Sequence, residues 1–238
     1  MLDPDRYDVL SFDCYGTLID WGSGILSALA PVLADHSIEA ADHDILRLFS
    51  EGEAIAEDGP YVKYAEVLAR TVRRIGKELG FEPSQTEAQC LTRSIGTWPL
   101  FPDTVEALRR LKQRYRLAIV SNVDDDLFGL SAELLEVEFD WVITAEQARS
   151  YKPSATNFRL AMRRIAVAPD KILHVAESVR HDIVPASALG LSTVWVNRTT
   201  GAGGAGAASG ALESAPLEAD LEVPDLKSLV AWIEAGRT

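Results

Sequence analysis

Short apolar runs separated by helix-length amphipathic stretches constrain this chain more than any other feature. Tyr7–Phe12, Leu117–Val120, Ile172–Val175 and Thr193–Val196 are each rich in β-branched or aromatic residues and bounded by polar or turn residues, and Trp141–Thr144 is a weaker fifth. Runs of this kind suit strands covered on both faces, the setting of a parallel sheet. Helical patterns lie between them. "FPDTVEALRRLKQRY" offers Asp103 as an N-cap, with apolar residues at 105, 108 and 111. "SATNFRLAMRRIAV" repeats that spacing with Phe158, Ala161, Met162 and Ile165, and "DIVPASALGL" should stop at Gly190. The alternation predicts an α/β fold built on a doubly wound parallel sheet.

From Trp21 to Trp98 the pattern changes to helix after helix: "GILSALAPVLADH", "DHDILRLFSEGEAIAED", "YVKYAEVLARTVRRIGKEL" and "SQTEAQCLTRSIGTW". We read a helical module inserted after the first strand, so that residues 1–20 and 99–238 form the core and 21–98 a cap. Gly22, Gly24 and Pro99 are the expected hinge. Gly201, Gly203 and Gly206 match GxGxxG within "TTGAGGAGAASGAL", but no helix and no suitably placed acid follow. That stretch reads as a mobile surface loop.

Composition narrows the functional classes. Apolar residues make up 47% and charged residues 25% of 238, so a sizeable core is expected. Lys plus Arg number 23 against 36 acids, a net charge of −13, which argues against nucleic acid. A small anionic substrate is still allowed, because a local field can oppose the net charge. Two distant cysteines, Cys14 and Cys90, have no metal-ligand spacing, and no basic-then-apolar leader or 18-residue apolar window occurs. These features predict a reduced, cytoplasmic protein with no membrane partner. Cys14 itself reads as a small buried hydrophobe.

In open parallel sheets, ligands bind beyond the carboxyl ends of the strands, where strand order reverses. The residues leaving the runs are Asp13; then Ser121 and Asn122; then Lys152, in "AEQARSYKPS"; and finally "AESVRHD", with Glu177, Ser178, His181 and Asp182. Each has a bland reading alone: Asp13 and Ser121 as caps, Thr17 as a turn residue, Lys152 as a solvated lysine, His181 as a helix start. The ordered set of an acid, a hydroxyl–amide pair, a lysine and a second acidic group is far more specific.

That set resembles the haloacid dehalogenase superfamily over nearly the whole chain, through "DCYGTL", "SN", "YKPS" and "ESVRHD". Within it, D-x-Y-G-T-L and "TVWVNR" resemble the L-2-haloacid dehalogenase (type II) branch. The resemblance implies a Rossmann-like core with an α-helical cap, and covalent catalysis without a required cofactor. Asp13 would attack carbon 2 of a short 2-haloacid, expel halide and form an ester for water to hydrolyse. Lys152 would keep Asp13 ionised, Thr17 would orient it, and Asp182 would hold Lys152 or the hydrolytic water. Ser121 and Asn122 would bind the substrate carboxylate or support the leaving halide, with Tyr15 and Tyr61 as further substrate contacts. Tyr61 and Tyr64 read equally as core aromatics, and Trp21 and Trp98 as packing. Family members often dimerise, so a homodimer is implied, although no interface signature is present.

The chain also departs from that branch. Its early cap helix has Glu51 and Glu53 where the branch carries an arginine, and the nearest one, Arg47, reads as part of a solvated face. Glu177 and Asp182 stand where superfamily phosphatases hold magnesium, so Asp13, Glu177 and Asp182 form a candidate metal set. Those phosphatases place a second Asp where this chain has Tyr15, and a phenol of reference pKa about 10 is a poor acid near neutral pH. Three functions stay open: a dehalogenase-like hydrolase, a magnesium-dependent phosphatase, and a catalytically weak binding protein.

Overall fold

The computed structural model describes residues 2–198 and 219–236. The GxGxxG match lies outside them.

Six parallel strands form one sheet: β1 (Val9–Phe12), β2 (Arg116–Ser121), β3 (Trp141–Thr144), β4 (Ile172–Ala176), β5 (Ser192–Val196) and β6 (Leu221–Val223). Their spatial order is β3-β2-β1-β4-β5-β6, so the winding reverses between β1 and β4. Phe12 sits in register with Ile119 of β2 on one side and Val175 of β4 on the other. Every residue of β1 and β4 is buried, as the unbroken apolar runs require. The sixth strand was not legible in the sequence: Leu221–Val223 is short, and its middle residue, Glu222, is exposed at the sheet edge.

The core helices are α6 (Thr104–Lys112), α7 (Asp125–Leu135), α8 (Ala145–Ala148), α9 (Ala155–Ile165), α10 (Val184–Ala188) and α11 (Leu226–Ala235). Asp103 precedes α6 as expected, but its carboxylate makes no cap bond there. It accepts instead from Arg198 at 2.9 Å and from the backbone N–H of Leu226 at 2.6 Å, tying α11 to α6. A charged partner and an unpaired helix N-terminus compete better for that carboxylate than its own first turn.

Residues 21–97 are helical throughout: α1 (Trp21–Asp35), α2 (Asp42–Glu57), α3 (Tyr64–Leu79), α4 (Gln85–Ala88), α5 (Cys90–Ser94) and a 3₁₀ turn at Ile95–Thr97. Of the glycines expected at a hinge, Gly24 has a packing role. Gly22 and Gly24 are buried in the first turn of α1, and a Cβ on Gly24 would lie 2.3 Å from the Trp98 ring. Gly24 is there so that an indole can lie against the helix backbone. The two crossing segments pair instead, Asp20 N–H donating to Pro99 O at 2.8 Å and Phe101 N–H to Leu18 O at 3.2 Å.

Candidate active site

Asp13 follows β1 at the point where the sheet reverses, with its N–H bonded to Val175 O of β4 at 3.1 Å. The chain then turns sharply at Gly16, φ 100°, where a Cβ would lie 3.2 Å from Trp21 and 3.3 Å from Glu177. The turn brings Thr17 back to Asp13, its hydroxyl donating to Oδ2 at 2.9 Å. The same Thr17 oxygen accepts the N–H of Glu177 at 3.0 Å, locking the end of β4 to the turn after Asp13.

Lys152 arrives after β3. Its backbone is clamped by Asn122, which accepts from Lys152 N–H at 2.7 Å and donates to Lys152 O at 3.1 Å. The ammonium is 2% exposed and donates to Asp13 Oδ1 at 2.7 Å, Asp182 Oδ1 at 2.6 Å and Val120 O at 2.9 Å. All three of its protons are therefore used. Asp182 also accepts from His174 at 3.0 Å, and His174 bonds Ser11 at 2.9 Å across the β1–β4 pair. Neither His174 nor Ser11 stands out in the sequence, since both sit inside apolar runs.

Charge and burial pull against one another here. Burial pushes the Asp13 carboxyl up from its ordinary range, opposed by the Lys152 ammonium and the Thr17 hydroxyl. Burial also disfavours the Lys152 ammonium, yet the two carboxylates outweigh it and hold its pKa above the usual lysine range. Asp182 is driven up by burial but ends below the usual carboxylate range, because Lys152 and His174 favour its ionised form.

Over this group lies a cavity of about 320 Å³, at the small end for ligand sites. Its floor is Asp13, Ser121, Asn122, Lys152 and Asp182, and its walls include Tyr15, Trp21, Phe49, Tyr64 and Trp98. Ser121 Oγ is buried and has no hydrogen-bond partner among the described residues. An orphaned buried hydroxyl costs about 1–3 kcal/mol, which a ligand acceptor would recover. Tyr15 donates to or accepts from Ser131 at 2.9 Å and meets Trp98 edge-on, and burial holds its phenol well above the ordinary value.

Several expectations need correction. Tyr61 does not line the cavity; its hydroxyl turns to Asp124 at 3.3 Å and its ring packs on Tyr151 and beneath Arg149. Tyr64 takes the wall position instead. Arg47, as expected, lies on a solvated helix face, paired with Glu51 and Asp44. The guanidinium that does face the cavity is Arg180, from the turn after β4, beside His181. Its place in that turn, away from the cap helix, hides it from a reading of the cap pattern. His181 starts its turn through its N–H to Ser178 Oγ at 3.1 Å, and burial lowers its imidazole to about 4. Asp13, Glu177 and Asp182 do not gather as ligands: among the described residues no three His, Cys, Asp or Glu side chains could hold a metal ion. The Lys152 ammonium bonds Oδ1 of both Asp13 and Asp182.

The cap contributes two acids missed as a site, Glu53 and Glu57, one turn apart on α2. Burial lifts Glu53 to about 7 and Glu57 to about 9. A folded-state pKa above the unfolded value means stability present below the unfolded pKa and lost as pH rises towards the folded one. For Glu57 that window runs from about 4.3, the unfolded value, to about 9. Glu57→Gln is thus expected to leave stability unchanged near pH 4 and raise it by about 1–3 kcal/mol at pH 8. Denaturant unfolding at the two pH values checks this, and an equal change at both would refute it.

Comparison with known proteins agrees with the geometry. Residues 7–190 match the haloacid dehalogenase-like hydrolase family. Haloacetate dehalogenase H-2 of Moraxella sp. (strain B) is 27% identical over 199 residues, covering 81% of this chain and 87% of its own. Glyceraldehyde 3-phosphate phosphatase of Methanothermobacter thermautotrophicus is 28% identical over 203 residues, covering 78% and 84%. The solved L-2-haloacid dehalogenase from Xanthobacter autotrophicus superposes with a TM-score of 0.80 at 21% identity, over 96% of this chain and 98% of that one, a likeness of fold. With the family match running unbroken from Tyr7 to Gly190, through each strand end that carries chemistry, the chain belongs to the haloacid dehalogenase-like hydrolases.

Proposed function

We propose that the enzyme hydrolyses a carbon–halogen bond in a small 2-haloacid through an ester on Asp13. The observation that carries this reading is the position two residues after the nucleophile. Tyr15 is a phenol held on Ser131 and pushed well above its ordinary pKa. It is a poor acid for a leaving alcohol near neutral pH, whereas halide leaves without a proton.

The remaining residues support a displacement at carbon. An Asp13 oxygen attacks carbon 2, the carbon–halogen bond breaks, and the electron pair departs with halide. Lys152 and Thr17 hold the carboxylate in place, and burial strips it of water, which strengthens it as a nucleophile. The orphaned Ser121 hydroxyl, Asn122 and Arg180 are the donors for the substrate carboxylate. A cavity of about 320 Å³ favours an acid of few carbons.

The phosphatase reading keeps one supporting observation, since Glu177 lines the cavity with Asp13 and Asp182. Purified protein should release halide from chloroacetate or 2-bromopropionate equally with and without a chelator. Phosphate release from small phosphate esters that the chelator abolishes would replace this reading with the phosphatase one. Silence towards both substrate classes would favour a binding protein on the same scaffold.

A further inference from the structure

The ester formed in the first half of the reaction must be opened by water, and water attacking an ester carbonyl needs a base near it. The acids of the core are poorly suited. Asp182 spends Oδ1 on Lys152 and His174, which also favour its charge. Tyr15 is a protonated phenol, and His181 is a weak base held near pKa 4. Glu57, lifted to about 9, is protonated at neutral pH and has no free charge to accept a proton.

Glu53 is placed differently. It hangs from α2 into the cavity that Asp13 floors. The Tyr64 hydroxyl donates to its Oε1 at 2.6 Å, fixing one oxygen. Tyr64 is itself anchored, because Asp124 accepts the N–H groups of Tyr64 and Ala65, each at 2.9 Å. Asp124 follows Ser121 and Asn122, so the core loop that frames the substrate also sets the cap helix that orients Glu53. We infer that Glu53 is the general base of the second half-reaction, taking a proton from the water that hydrolyses the Asp13 ester.

The step balances. The water oxygen bonds to the Asp13 carboxyl carbon and its proton passes to Glu53. Collapse breaks the bond to the substrate oxygen, which takes the proton back from Glu53 and leaves as a 2-hydroxy acid. Asp13 loses its remaining proton to solvent beside Lys152. Each turnover releases one halide and one proton. Burial, with Asp13 nearby, lifts Glu53 to about 7, where a base is effective at neutral pH. Asp13 and the Tyr64 hydroxyl act on it directly, and the other titratable groups lining the same cavity are Glu51 and Glu57 on its own helix, Tyr15, Lys152, Glu177, Arg180, His181 and Asp182.

This assignment rests on the ester reading, and rapid mixing with 2-bromopropionate separates the two. Wild-type protein should turn over, with a rate of ester hydrolysis that rises with pH through about 7. Glu53→Gln should release one halide per enzyme and then slow by about 10²-fold or more, carrying the substrate acyl mass on Asp13 and losing that pH limb. Tyr64→Phe, which removes a bond favouring the carboxylate, should move the limb to higher pH. The assignment is overturned if Glu53→Gln turns over within twofold of wild type, or if Glu177→Gln accumulates the ester in its place. Absence of halide release from wild type, or of any acyl mass on Asp13 in both proteins, would remove the ester reading itself, and this assignment with it.

Discussion

Asp13→Asn is expected to lower halide release by roughly 10⁴-fold or more, the scale seen when a covalent nucleophile is removed. The fold should survive the change. The amide oxygen can still accept from Lys152, its NH₂ can donate to the Thr17 oxygen, and Lys152 keeps its bonds to Asp182 and Val120. Removing one buried carboxylate also removes the burial penalty that pushes Asp13 up. Thermal stability should therefore change by no more than about 1 kcal/mol. A labelled-water experiment makes the claim sharper. One turnover of wild-type protein in ¹⁸O-water should place the heavy oxygen in Asp13 and leave the first product molecule unlabelled. If the label enters product directly, water and not Asp13 attacks carbon 2. Activity in Asp13→Asn within tenfold of wild type would also mean that Asp13 is not the nucleophile.

What the sequence reveals about this molecule depends on how local the cause is. The five longer strands are legible because burial on both faces demands unbroken apolar runs, as in Ile172–Ala176. The terminal helix α11 is legible in principle, with buried Leu226, Leu229, Val230 and Ile233 at helical spacing, and Asp225 accepts from Ser228 N–H at 2.7 Å as its cap. Strand β6 is not, because an exposed edge relaxes the pattern. In the site, Asp13, Ser121, Asn122, Lys152 and Asp182 are legible as residues leaving strands, and the structure brings them to one floor, with Thr17, which the family resemblance supplied, bonded to Asp13. Arg180 and Glu57 are not, because nothing in a helix or turn pattern tells which exposed-type residue faces a cavity closed by a distant segment. Tyr61 and Tyr64 differ by three positions on the entry to α3. Asp124 decides between them by drawing the Tyr61 hydroxyl away. That choice is tertiary.

The largest stability effect belongs to Lys152. In the wild type its ammonium is the cation that bonds both Asp13 and Asp182 within 2.7 Å. Lys152→Met removes that charge and leaves two buried carboxylates facing each other, which should cost about 3–5 kcal/mol at neutral pH. Turnover should fall by roughly 10³-fold or more, since Asp13 would be protonated or misplaced. The pH dependence identifies the cause. In the wild type, Asp182 lies below its ordinary range, so its contribution is present above the unfolded pKa and lost only as pH falls through the folded one. Lys152 lies above its ordinary range, so its contribution is complete below the unfolded lysine value and lost only in alkali. The Asp182–Lys152 pairing thus persists across the neutral range, while Asp13, raised by burial, opposes it as pH rises. In Lys152→Met the sign reverses for Asp182, and the upward push that burial already exerts on Asp13 grows. With the ammonium gone, burial and mutual repulsion push at least one carboxyl above its unfolded pKa of about 3.9, so folding takes up a proton. Stability is then greatest in acid and declines as pH rises. Unfolding measured at pH 5 and pH 8 should show a deficit that widens with pH, together with proton uptake on folding at the higher value. A deficit of equal size at both would mean that Lys152 supports the site by packing, and that the charge pairing with Asp13 and Asp182 contributes little.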